Sequence, residues 1–427
     1  MTLILYTVRP GDSVHQIARA HGVTPASIIS ANGLQNADQL LVGQALILPT
    51  AAGSHVVQAG DTLYQLAQRF GATVKALLAA NPQITDPNFL RVGQTLHLPK
   101  AHFGSIVVNG YCYPTIRDEA LDEALKHLTF LSVFACGVHA DGTLTPMAND
   151  ARVIARAKAA GVRPHMVIAN IEEGRGFQSA TVQALLENPA AQARLLQNCV
   201  SLMRERGYTG LDVDFEYVPA AVRESLNCFL AKARAWMHDE GFLLTSAVPP
   251  LTADNQAGLL FEGFDLAAQG KYNDYVTIMT YEWGYQGGPP MAVAPANEVR
   301  RVLEYAVTRM PAEKILLGIP NYGYDWKIPW QQGTSATVVQ NPGALAIAAR
   351  YGANIQFDET AQTPRFRYTE PGGQQHEVWF EDARSIYAKL ELVREFGLGG
   401  VSYWTVNNPF PQNWTLVQEL FTVSRSK

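Results

Sequence analysis

Between Ser105 and Thr405, short apolar runs alternate with helical stretches, and that rhythm constrains the fold more than any other feature of the chain. The runs are Ser105 to Tyr113, Leu128 to Gly137, Pro164 to Asn170, Gly210 to Tyr217, Leu243 to Val248, Tyr275 to Glu282, Ile315 to Asn321 and Gly400 to Thr405. Helical patterns lie between them, at Ala151 to Ala160, Ala190 to Arg206, Ala220 to Asp239, Glu298 to Met310 and Ala383 to Phe396. Strands separated by helices pair in parallel, because a crossover must carry the chain back to the start of the next strand. Eight such units predict an α/β fold, a closed (β/α)8 TIM barrel whose functional residues sit at the C-terminal strand ends. One stretch breaks the rhythm. Tyr324 to Val378 is too long for a βα loop and has β-like runs at Asn354 to Phe357, Arg365 to Tyr368 and His376 to Phe380. It predicts a small α+β insertion after strand seven, at about 325–378, walling one side of the cleft.

The fourth run carries the chemistry. Asp212, Asp214 and Glu216 alternate with the apolar Leu211, Val213 and Phe215. On a strand, residues i, i+2 and i+4 project from one face at intervals of about 6.6 Å. Three carboxylates then point the same way, Glu216 at the mouth and Asp212 deepest. Acids this close raise one another's pKa values, and burial raises them further. One carboxyl that keeps its proton near neutrality is what a general acid requires. Two other readings stand beside this one. Asp212 and Glu216 are also spaced i, i+4, as on a solvated helix face, although the apolar residues between them would then wrap all round the helix. A set of carboxylate oxygens also suits a hard cation, which chelation would reveal.

With 427 residues, 47% hydrophobic and 17% charged, the chain can bury a large core and should hold about two or three domains. No apolar run approaches the roughly 20 residues of a membrane helix. The start, Met1-Thr-Leu-Ile-Leu-Tyr6, lacks a basic region and a small-residue cleavage site, so export by a leader peptide is not expected. A formal net charge of -5 offers no basic footprint for nucleic acid or anionic lipid. Cys112, Cys136, Cys199 and Cys228 are scattered without C-x-x-C spacing and read as buried free thiols of a protein made in a reducing compartment.

The first hundred residues repeat. Tyr6 to Ala18 recurs as His55 to Ala67, with Gly11 matching Gly60 and Asn32 matching Asn81. After one inserted residue, Val42-Gly-Gln44 matches Val92-Gly-Gln94. Each unit reads as strand, helix, helix, strand. Ser13-x-x-Gln16 and Thr62-x-x-Gln65 look like capping boxes, and Thr24 before Pro25 like an N-cap. Ala51-Ala-Gly-Ser54 reads as a linker and Lys100-Ala-His-Phe-Gly104 as a hinge.

This repeat resembles the LysM module, which divides the chain into modules at 1–50 and 51–100 and a barrel at 101–427. The resemblance implies binding of glycans that contain N-acetylglucosamine, such as peptidoglycan or chitin. The binding loops would hold Gly11, Asp12, Ser13 and Asn32 in the first module, and Gly60, Asp61, Thr62 and Asn81 in the second. The barrel resembles glycoside hydrolase family 18, whose strand-four motif Asp-x-Asp-x-Glu is met by Asp212, Asp214 and Glu216. Met279-Thr-Tyr-Glu282 is similar to the strand-six motif, and Trp404 lies where the family places the floor of the −1 sugar site. With its module pair, and in the segments Gly318 to Trp326 and His376 to Arg384, the chain resembles the spore cortex-lytic branch of bacilli.

That resemblance implies a glycosidase that cleaves after N-acetylglucosamine in spore cortex peptidoglycan during germination. It implies a monomer without metal or cofactor, made in the cytoplasm and held at the spore coat or cortex. Spore coat proteins would be further partners; nucleic acid and membranes would not. The implied mechanism is retaining and substrate-assisted, family 18 being an exception to the scheme of two protein carboxylates. Glu216 would protonate the glycosidic oxygen, Asp214 would hold the acetamido N–H, Asp212 would share a proton with Asp214, and Tyr281 would orient the acetamido oxygen. Trp404, Glu282, Trp283, Trp326 and Asn170 would contact sugar, whereas Trp236, Trp414 and Tyr305 fall on helical stripes and should pack. Three departures from the family stand out: Thr209 in place of a leading Asp, Glu282 in place of Asp, and Ile168-Ala-Asn-Ile171 in place of Ser-x-Gly-Gly. A chitinase or an endo-glycosidase would use the same acids, and an inactive lectin is the non-enzymatic alternative.

Overall fold

The computed structural model describes residues 2–50, 54–69, 74–98 and 102–425. Of the linker and hinge read from the sequence, 51–53 and 100–101 lie outside the described residues.

Eight parallel strands close into a barrel: Ser105–Cys112, Phe130–Val138, Arg163–Ala169, Gly210–Asp214, Leu243–Val248, Tyr275–Ile278, Ile315–Pro320 and Gly400–Trp404. The eighth pairs with the first, Tyr403 opposite Gly110, and the first with the second, Asn109 opposite Phe130. The strands are apolar on both faces because one face fills the barrel and the other meets the helices. Helix Arg223–Asp239, for example, buries Leu226, Phe229, Leu230 and Ala233 in the core shared with Leu211, Val213 and Phe215.

The fourth and sixth strands end well short of where the alternation predicts. The fourth stops at Asp214 and the sixth at Ile278, so Glu216, Tyr281 and Glu282 stand on loops above the barrel. The chain turns sharply there, with φ of 53° at Tyr217 and 68° at Glu282, in the left-handed region. The insertion after strand seven is a five-stranded antiparallel sheet with one helix, Asn341–Tyr351. Its entry needs a glycine: a Cβ at Gly323 would lie 2.2 Å from the Trp379 carbonyl oxygen. Cys112, Cys136 and Cys199 are buried free thiols, while Cys228 is exposed, contrary to expectation. Trp236 is likewise exposed, because its position on the helix faces solvent.

Each module is strand, helix, helix, strand with its two strands antiparallel: Thr2–Thr7 with Ala45–Thr50, and Ser54–Val56 with Thr95–His97. Ser13 Oγ accepts the Gln16 N–H at 3.3 Å, Thr62 Oγ1 the Gln65 N–H at 3.2 Å, and Thr24 Oγ1 the Ser27 N–H at 3.1 Å, which fixes three helix starts. The first module is docked on the barrel. Gln412 Nε2 donates to Asn32 Oδ1 and to the Ala45 carbonyl, both at 2.8 Å. Ile355 N–H donates to the Val42 carbonyl at 2.9 Å, and Arg384 to the Gly43 carbonyl at 3.0 Å. Ala31, Ala45 and Ile47 belong to the same apolar core as the barrel.

Candidate active site

Strand four points Asp212 and Asp214 into the barrel, where both are buried, and the loop beyond it brings Glu216 to the mouth. Asp212 is held from both sides: Tyr111 Oη donates to Oδ2 and Thr245 Oγ1 to Oδ1, each at 2.6 Å. Burial raises the Asp212 pKa, and these two bonds pull it back down. Asp214 has no such relief. Its Oδ1 is buried without a partner among the described residues, and burial, then the charges of Glu216 and Asp212, push its pKa well above the usual carboxylate range. Hydrogen bonds thus favour the anion on Asp212 and leave the proton to Asp214.

Burial and then the charge of Glu282 push Glu216 up to about 7, so the group can carry a transferable proton at neutral pH. Tyr281, also buried by its surroundings and facing Asp214 and Glu216, keeps its hydroxyl proton because its pKa is raised well above the usual value. Asp214, Glu216, Tyr281, Glu282 and Trp404 share the walls of a cavity of about 240 Å³. Trp404 is half-buried, boxed edge-on by Tyr111, Tyr113 and Phe134 at centroid distances of 5.4, 5.9 and 4.8 Å. A ring so fixed can stack under a sugar without losing rotamer freedom. A second cavity of about 240 Å³ lies in the seam between the first module and the barrel, among Asn32, Gln412 and Asn341, and contains none of these groups.

Several expected sugar contacts are placed elsewhere. Trp326 is buried, its Nε1 donating to the Gly288 carbonyl at 2.8 Å, because the insertion sheet closes over it. Trp283 packs on the barrel core and is not a wall of the acidic cavity. Asn170 is buried with its carboxamide bonded to the backbone of Glu216 and Gln178. In the modules, Asn32 and Asn81 tie the second helix to the last strand: Asn32 bonds the Ile28 and Ile47 carbonyls and the Ile47 N–H, and Asn81 does the same at Leu77 and His97. Buried and spent on the fold, neither is free for a glycan. Asp12 and Asp61 hold their turns, accepting from the N–H groups of Arg9 and Gln58 at 2.7 Å. Gly11, Ser13, Gly60 and Thr62 stay at the exposed surface, the glycines with φ of 84° and 92°.

Other residues escaped the sequence reading. Tyr111 and Thr245 come from the first and fifth strands to hold Asp212. Tyr322 and Tyr324 both donate their hydroxyls to Glu282, so that acid has its own pair of supports. Their alternation in Asn321-Tyr-Gly-Tyr324 was the available signal. Among the described residues, no group of three His, Cys, Asp or Glu side chains is arranged to hold a metal ion, and none of the helices is long and apolar enough to cross a membrane.

The model of glycosyl hydrolases family 18 matches residues 117–408, and the LysM domain model matches 6–49 and 55–99. The chain is 41% identical over 428 residues to the cortical fragment-lytic enzyme of Bacillus anthracis, covering 99% of each chain. It is 42% identical to that of Bacillus subtilis, covering 98% of each. Among solved structures, the spore cortex-lytic enzyme SleL of Bacillus cereus superposes with a TM-score of 0.91 at 39% identity, covering 100% of this chain and 99% of that one. A chitinase from Chromobacterium violaceum superposes with a TM-score of 0.68 at 27% identity, covering 74% of this chain and 98% of its own.

Proposed function

The chain belongs to glycosyl hydrolases family 18, is a glycoside hydrolase and carries two LysM domains, and from that premise we propose that it cleaves the bond after N-acetylglucosamine in spore cortex peptidoglycan. The likeness to cortical fragment-lytic enzymes runs the full length of both chains, modules included, and supports this substrate over chitin, since the chitinase likeness covers 74% of the chain.

The single observation that carries the mechanism is the Asp214–Glu216 pair. A buried aspartic acid with an unpartnered oxygen stands beside a glutamic acid with a pKa of about 7. Two protein carboxylates acting as acid and nucleophile would have to flank the bond from opposite sides, but here both come from one strand and its loop. The nucleophile is the substrate's acetamido oxygen. Glu216 gives its proton to the glycosidic oxygen as the C1–O bond breaks, and the acetamido oxygen closes on C1 to form an oxazolinium ion. Asp214 accepts the acetamido N–H, its own proton passing toward Asp212, and the negative charge stabilises the cation. Tyr281 orients the acetamido oxygen, and Trp404 stacks under the ring. Water, deprotonated by Glu216, then opens the intermediate with retention. The enzyme acts at the spore, held at the coat or cortex through its exposed second module.

Glu216→Gln keeps the shape and removes the proton, so hydrolysis of cortex fragments should fall by about 10²-fold or more while binding persists. A thiazoline mimic of the intermediate should inhibit the unsubstituted enzyme. Mass spectrometry of fragments from cortex, vegetative wall and chitin names the substrate: release of N-acetylglucosamine reducing ends chiefly from chitin would overturn the cortex reading.

A further inference from the structure

We propose that Asn170 is the positioning residue of the general acid, its carboxamide standing in for the strand ladder that ends just before Glu216. The proposal rests on the reading of Glu216 as the acid. The ladder between the third and fourth strands runs from His165 opposite Gly210 to Ala169 opposite Asp214 and stops there. Two residues later, Asn170 Oδ1 accepts the Glu216 N–H at 2.9 Å and Asn170 Nδ2 donates to the Glu216 carbonyl at 2.9 Å. One acceptor and one donor, side by side, is the pair that a peptide group of a neighbouring strand would offer.

The clamp is itself fixed. Asn170 is 0% exposed. Its Nδ2 also donates to the Gln178 carbonyl at 3.1 Å, and its own carbonyl accepts the Gln178 N–H at 2.7 Å. Ser179 Oγ donates to the Tyr217 carbonyl at 2.7 Å, so the loop after strand three is stitched to the acid's loop at three points. Because Asn170 is sealed from solvent, a bond lost there has no ready replacement. Tyr217, next along, has φ of 53°, a conformation that a side-chain-bearing residue keeps only when its surroundings hold it. The clamp therefore sets where the Glu216 carboxyl points, and misplacement of a catalytic group by about 1 Å costs on the order of 10² in rate.

The chemistry of the carboxamide gives the role a signature. In Asn170→Asp, the ionised carboxylate has two acceptors, one of them against the Glu216 carbonyl; the protonated form regains one donor and one acceptor in the same shape. The titratable groups on the surrounding elements are Asp212, Asp214, Glu216 and Tyr217 of the fourth strand and its loop, Cys136 and His139 of the second, and Glu172, Glu173 and Arg175 of its own loop, Arg175 being paired with Glu172. Acids dominate this set, so the introduced carboxyl takes up its proton readily as pH falls.

The experiment measures kcat and KM on a soluble cortex fragment across about pH 4 to 8 for the full chain and its N170D, N170A and E216Q variants. N170A should lower kcat by on the order of 10²-fold with little change in KM. The N170D to wild-type ratio of kcat should rise as pH falls, which loss of stability alone would not produce. If N170A does not fold, the N170D ratio carries the test. A ratio flat across pH with E216Q inactive overturns the positioning role alone. Full turnover by E216Q overturns the acid assignment and this role with it.

Discussion

Gly43 and Gly93 hold the same place in the two LysM repeats, with φ of 86° and 85°. A Cβ at Gly43 would lie 1.8 Å from the Ile355 carbonyl oxygen, whereas at Gly93 nothing lies within 4 Å. The neighbouring valines differ in the same sense. Val42 gives its carbonyl to Ile355, and Val92 is 70% exposed, as are Phe89 at 63% and Val56 at 55%. One sequence pattern therefore serves two ends. The first module is a buttress of the hydrolase, its loop side turned to the barrel, and the second presents its apolar loop side outward, where a wall glycan can reach it. An expectation that both modules act as tethered anchors follows from the repeat but not from the docking.

Deleting residues individually by module puts this contrast under the greatest strain. Loss of the first module uncovers the barrel core that Ala31, Ala45 and Ile47 complete and takes both acceptors from Gln412 Nε2. Turnover of soluble fragments and thermal stability should both collapse. Loss of the second module should leave soluble turnover and melting temperature near their starting values but cut retention on intact sacculi by about 10²-fold. Equal damage from the two deletions, read by calorimetry and a sacculus pull-down, would break the comparison.

A finer probe places alanine at the matched glycines. Positive φ costs an alanine about 1 kcal/mol at both positions. At position 43 the Ile355 backbone must also give way, so chemical denaturation should register about 2 to 3 kcal/mol for Gly43→Ala against about 1 for Gly93→Ala. Gln412→Ala, which takes one donor from the buried Asn32 Oδ1 and from the Ala45 carbonyl and removes the acceptor of the Ala383 N–H, should cost about 1 to 3 kcal/mol. A loss at Gly93 equal to that at Gly43 would place both modules on the same footing.

The smallest effect is electrostatic and should ignore the second module altogether. The charge of Glu282 helps to hold Glu216 at about 7, and Glu216 must be protonated to act. Glu282→Gln removes that charge and lowers the Glu216 pKa, so activity should fail at a lower pH as pH rises, in the full chain and without the second module alike. An alkaline limb that stays put, or moves up, would reject Glu282 as the source of the shift.

Much of this was legible in the chain. Alternation and period gave the eight strands and their helices, and the run from Asp212 to Glu216 announced the acids. Where the reading overshot, the cause is physical. Alternation continues past Asp214, yet a strand lasts only as long as its neighbour pairs with it, and the ladder to Ala169 stops there. Trp326 follows strand seven, which suggested the mouth, but the sheet folded back by the insertion buries it beside Tyr324. Asn170 sits at the end of strand three as a sugar contact would, and its bonds instead reach Glu216, 46 residues away.

The sequence by itself determined what near neighbours decide: turn glycines, helix caps, the repeat, the strand periods and the order of acids along one strand. Only the tertiary structure decided which acid has hydrogen-bond relief, because Tyr111 and Thr245 reach Asp212 from other strands. It also decided which module packs on the barrel and which keeps its loop side exposed. Gln412 meets Asn32 across 380 residues of chain, and nothing in the local pattern of either segment records that meeting. Periodicity reports contacts within a few residues, whereas burial and long-range hydrogen bonds, which set the charge and freedom of a side chain, exist only once distant segments are packed together.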